Sequence, residues 1–189
     1  MFKKIIICLG LLLLGINTLW AASAGPESVE VAVTVIGSVF TLDLQDSSGY
    51  PWSGQLNLGS MEPGGEAIFP PDAVVVAACK SNRATPWELQ IEGSQLTDEV
   101  TGKVIPEDNF YVRGYDSVRT GGSSLPGVLN TVPRSIKEEP ISIYTSDSTG
   151  DSGFNNNYGS YVPLGFGVKV PDAQPRGTYT ARITFIMTE

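Results

Sequence analysis

The chain has 189 residues, with 12 basic and 20 acidic side chains, no histidine, and a net charge of −8. That sign of charge repels nucleic acid and anionic membrane surfaces, and the lack of histidine excludes His-based triads and His-ligated metals. Met1-Phe2-Lys3-Lys4, the apolar run Ile5–Leu14 and the small residues Ala22-Ser23-Ala24 read as a signal peptide over 1–24. The run is too short for an integral membrane span, so the expected location is secreted: extracellular, cell-surface or periplasmic. Cleavage after Ala24 removes 24 of the 189 residues and two lysines, leaving one domain of 165 residues (25–189) at −10. Of the two cysteines, Cys8 lies in the signal run and only Cys79 remains. The exported part therefore has no internal disulfide and relies on its core.

Val29, Val31, Val33 and Val35 alternate with Glu30, Ala32 and Thr34, the pattern of a strand with one inward face. After Gly37 the apolar phase moves to the even positions Phe40, Leu42 and Leu44. A one-residue slip turns the inward face over, so Gly37 marks a bulge or a crossing between sheets. Gly49–Gly54 reads as a turn, and Leu56 and Leu58 begin a short strand that Pro63-Gly64-Gly65 ends. Val74–Cys79 is apolar on both faces, which predicts a central, covered strand, followed by a turn at Lys80–Arg83. Trp87, Leu89 and Ile91 alternate with Glu88 and Gln90 and form its partner. Phe110–Val112 and Ile141–Ile143 are weaker candidates, and Tyr115–Tyr161 reads as long polar loops holding one or two minor strands. Leu164, Phe166, Val168 and Val170 alternate, as do Tyr179, Ala181, Ile183, Phe185 and Met187 at the end. No window carries apolar residues at helical spacing. Short strands between Gly/Pro turns predict an all-β antiparallel sandwich, with Trp87, Leu89, Tyr179, Ile183 and Phe185 in its core.

The pairs Asp98-Glu99, Glu107-Asp108 and Glu138-Glu139 have the residue types for glycoside hydrolysis. Adjacent acids in turns of an acidic chain are ordinarily solvated, and no catalytic residue or cofactor is assigned. Asp147, Asp151 and Asn155–Asn157 place hard oxygens within eleven residues, as calcium prefers. Their spacing departs from the calcium-loop motif, so Asp147 and Asp151 are weak metal candidates and the segment reads as a polar loop. Tyr50, Trp52, Phe154, Tyr158 and Tyr161 fall in turn-like stretches. Such aromatics stack on sugars or anchor a partner, or close the end of a sandwich. Tyr50, Trp52, Tyr158 and Tyr161 are the binding candidates. Cys79 ends an apolar strand and reads as a buried, inert thiol.

Thr85-Pro86-Trp87-Glu88-Leu89-Gln90-Ile91 resembles the first motif of the WxL family of bacterial surface domains. The ending Gly177-Thr178-Tyr179 to Met187 resembles that family's C-terminal strand, with Phe185-Ile186-Met187 where a second Trp-x-Leu falls. The resemblance implies an immunoglobulin-like sandwich associated non-covalently with the cell surface, through an envelope component or a partner protein. The same ending, with the alternating Val29–Val35, also resembles pilin-like subunits of the spore coat U and archaic chaperone–usher type, which implies self-association by donor-strand exchange. The expected function is a secreted, non-catalytic cell-surface or adhesion module, with a fibre subunit as the alternative. Val29–Val35 is expected to complete the sandwich within its own molecule.

Overall fold

A computed structural model describes residues 39–116, 125–151 and 159–189, all within one compact unit, Gly37–Glu189. The signal-peptide reading, the Val29–Val35 strand, the Gly37 break, and Phe154 to Tyr158 lie outside the described residues. Strands are numbered in chain order. One sheet runs β1 (Phe40–Gln45), β2 (Val75–Ser81), β10 (Gly159–Val168), β6 (Phe110–Gly114), β8 (Arg134–Ser135). A second runs β12 (Ile183–Thr188), β3 (Glu88–Gly93), β9 (Ile141–Thr145), β7 (Val128–Leu129). A small third sheet joins β11 (Tyr179–Thr180), β4 (Leu96–Asp98) and β5 (Val104–Ile105). Every pairing is antiparallel, and the helical content among the described residues is a single 3-10 turn, Glu107–Asn109. The chain is all-β.

The two larger sheets share one core. Val75, Ala77 and Cys79 of β2 and Val162, Leu164 and Phe166 of β10 meet Leu89 and Ile91 of β3 and Ile143 and Tyr144 of β9. This face-to-face contact makes the arrangement sandwich-like. Each such apolar side chain contributes about 1.5–3 kcal/mol by leaving water. Val76 and Ala78, on the other face of β2, are buried too, as a run apolar on both sides requires. Trp87, just before β3, and Leu89 and Ile91 on it are all buried; register sets Leu89 against Met187 and Ile91 against Phe185. Tyr179, Ile183 and Phe185 pack against the core but are half-buried, because β11 and β12 each lie at the end of a sheet.

Four expectations are revised. Leu56 and Leu58 form no strand; they pack against the core from an irregular strap between β1 and β2. Lys80 and Ser81 continue β2, and the turn begins at Asn82, whose Oδ1 accepts from the Val39 amide at 2.7 Å. Ile141–Thr145 is no minor strand but lies between β3 and β7. The alternating run Tyr179–Met187 is cut at Ala181-Arg182 into β11 and β12, which belong to different sheets. The cut coincides with the start of pairing to β3, where Ser94 donates its amide to the Arg182 carbonyl at 3.0 Å.

The strap is tied down at several points. Pro51 bridges Gln45, the Trp52 amide donates to the Leu44 carbonyl, and Ile68 bridges Val168. Over β10, the Arg113 guanidinium lies 4.7 Å from the Phe69 ring centre and 4.6 Å from that of Tyr115. The Tyr115 hydroxyl donates to the Pro70 carbonyl. Gly165 and Gly167 make this clamp possible: a Cβ at 165 would run into the Tyr115 ring, and one at 167 would sit 2.8 Å from Phe69.

Candidate functional site

Two regions stand out, one carrying buried polar chemistry and the other half-buried apolar side chains of two terminal strands. The first is a buried knot where β3 begins and β9 ends. Asp147-Ser148-Thr149-Gly150-Asp151 closes on itself: each aspartate accepts the other's amide, both at 2.9 Å. Asp151 adopts φ 57°, a left-handed conformation that aspartate tolerates better than most residues. It is only 2% exposed, and its Oδ2 accepts from the Tyr144 hydroxyl at 2.7 Å and from the Ser160 hydroxyl. The Trp87 indole N–H donates to the Gly150 carbonyl at 2.9 Å, and the Trp87 amide to the Ser146 hydroxyl at 2.8 Å. The Trp87 and Tyr144 ring centres lie 5.3 Å apart. The knot fastens the β9–β10 turn to β3, β9 and β10 together.

The titrations follow the geometry. Burial, then the Asp151 charge, pushes the Cys79 thiol well above the usual thiol range. Burial, then its bond to Asp151, does the same to the Tyr144 phenol. The Asp151 amide and the Thr149 hydroxyl hold Asp147 below the usual carboxylate range. In the turn after β4, the Thr101 hydroxyl and the Val100 amide likewise lower Asp98.

Asp147 and Asp151, the weak metal candidates, thus spend their oxygens on their own turn. Among the described residues no group of three or more Cys, Asp or Glu side chains converges as a metal site would require. The acidic pairs stay separate as pairs, yet Glu99 and Glu138, from two of them, share an open polar groove of about 530 Å³ with Gln95, Thr97, Thr180 and Arg182.

The binding candidates are only partly gathered. Tyr50 is 70% exposed on the turn after β1, while Trp52 packs against the core. Tyr161 pairs with Ala78, as does Asp43, on the face of β10 opposite the buried Val162. Tyr161 thus lies at the middle of β2's length while Tyr50 sits past the far end of β1, beside Asp46, so the register does not bring them together; Tyr158 lies outside the described residues.

The second region is the side of the sandwich bounded by β1 and β12, the terminal strands of their sheets. Half-buried Phe40, Leu42 and Leu44 face half-buried Ile183, Phe185 and Met187 across it. The opposite side ends in β7 and β8, two residues each. Sequence reasoning located these apolar faces but not the terminal position of β1 and β12, which depends on strand order. No helix among the described residues is long and apolar enough to cross a membrane. The fold and these regions define an all-β, sandwich-like protein in which, among the described residues, β1 and β12 end their sheets on the same side. No protein-family model matches the chain, and no curated protein matches it.

Proposed function

We propose that the protein is a secreted, non-catalytic cell-surface module with an immunoglobulin-like sandwich, which holds an envelope component or a surface protein. The carrying observation is how its polar groups are used. Asp98, Asp147 and Asp151 accept bonds from their own turns and neighbouring strands, while Tyr50 stands exposed beside the first sheet. Such a framework holds loops in place for contact rather than aiming acids at a substrate. In a co-sedimentation assay the purified chain is expected to pellet with isolated bacterial envelopes, and Tyr50→Ala to weaken this severalfold. A chain that stays in the supernatant at every envelope concentration sinks the reading.

The outer edge of β12, unpaired among the described residues, favours a second reading, a fibre subunit that takes up Val29–Val35 from a neighbouring copy by strand exchange. Its signature is a ladder of multimers on a native gel, dispersed by excess of a peptide copying that segment.

A further inference from the structure

We propose that β12 is the interface of a closed two-fold dimer, in which β12 of one copy pairs antiparallel with β12 of a second copy. Sheet edges are templates for pairing, and monomeric proteins guard them with charge, proline, bulges or short strands. Three of the four edges of the two larger sheets are guarded in that way. β7 and β8 have two residues each, and β1 carries exposed Asp43 and is covered at its end by the Trp52 amide bonding to Leu44. β12, Ile183-Thr184-Phe185-Ile186-Met187-Thr188, has no charge and no proline, and among the described residues nothing pairs with its outer edge.

The register follows from the backbone. Arg182 bonds toward Ser94 through both its amide and its carbonyl. By alternation, Thr184, Ile186 and Thr188 also bond toward β3, and Ile183, Phe185 and Met187 point their N–H and C=O groups outward. Pairing about a two-fold axis at Phe185 sets Ile183 against Met187 of the second copy and Phe185 against its own counterpart. That register makes about six main-chain hydrogen bonds and keeps the apolar side chains of both strands on the core face. It also complements charge. Each strand is preceded by Arg182 and followed by Glu189, so antiparallel self-pairing brings Arg182 of one copy to the Thr188-Glu189 end of the other. A parallel arrangement would set like charges together. Glu189 is already held in position by Arg83 at 3.0 Å and Thr85 at 2.9 Å. The interface is isologous and closes at two copies. It does not depend on what the module binds, and it would present two copies of any binding surface at once.

Sedimentation velocity of the purified chain over a range of concentrations tests this. A reversible dimer is expected, with no larger species. Met187→Pro removes an outward-facing donor at a position where an edge strand accepts proline, together with the core packing of the Met187 side chain. It should weaken the dimer at least about tenfold, whereas Met187→Ala, which keeps the donor, should leave it nearly unchanged. Circular dichroism checks that the variant stays folded. Thr188→Lys, which sets a lysine opposite Arg182 of the second copy, should weaken it severalfold, and Arg182→Glu combined with Thr188→Lys should restore it. A monomer at all concentrations overturns the proposal, because the edge is then covered otherwise. An open ladder of multimers overturns it in favour of strand exchange. A dimer indifferent to both Met187→Pro and Thr188→Lys overturns it by placing the interface elsewhere.

Discussion

Trp87 gives the sharpest test of the core. Its ring is 1% exposed, lies 5.3 Å from the Tyr144 ring, and donates its indole N–H to the Gly150 carbonyl. Truncation to alanine removes the ring and leaves a cavity, which costs about 3–5 kcal/mol. The orphaned Gly150 carbonyl adds about 1 kcal/mol more. The sum, about 4–6 kcal/mol, is a large part of the roughly 5–15 kcal/mol that holds a domain folded. Trp87→Phe separates the two effects, since it keeps most of the ring and loses the N–H; it should cost about 1–3 kcal/mol. Guanidinium unfolding followed by circular dichroism reads both as midpoint shifts at unchanged slope, and thermal melts should fall by about 8–24 °C for the alanine variant. If Trp87→Ala costs under about 1 kcal/mol, Trp87 is no core residue. If Trp87→Phe costs nothing, the indole bond does not fasten the turn.

Stability should decline at both ends of the pH range. Asp98 and Asp147 have folded pKa values below their unfolded ones, so their contribution is complete above about pH 4 and is lost as acid protonates them; Asp98→Asn and Asp147→Asn should each flatten the acid limb of a stability–pH curve. Cys79 and Tyr144 have raised values, so their contribution is complete at neutral pH and declines above about pH 9; an alkaline limb unchanged in Tyr144→Phe would contradict this. Cys79 should resist a thiol reagent in the native chain and react fully in denaturant, and fast native labelling would place it at the surface. Gly150 has φ 65°, and a Cβ there would strike the Thr85 carbonyl, so Gly150→Ala should destabilise by at least about 1 kcal/mol; a neutral result would show that the turn can shift.

Much of the strand content was readable from period-two patterning, because inward and outward side chains alternate wherever one face is buried. Val74–Cys79, apolar on both faces, could only be central, and β2 lies between β1 and β10. Trp87, Leu89 and Ile91 were legible as one inward row and are all buried. Periodicity says which face a residue takes but not which strand stands beside it, since neighbours come from distant parts of the chain. For that reason one alternating run, Tyr179–Met187, serves two sheets, and a strand in a polar region, β9, lies inside its sheet. The knot left a trace in the sequence, the turn-forming Asp147-Ser148-Thr149-Gly150-Asp151, which reads as a polar loop with Asp147 and Asp151 as weak metal candidates. Only the packing of Tyr144, Ser160 and Trp87 around it decides that its oxygens are used internally. The edge position of β12 among the described strands is likewise a property of sheet order: its composition shows an uncharged strand, and the tertiary structure alone places that strand at the end of its sheet.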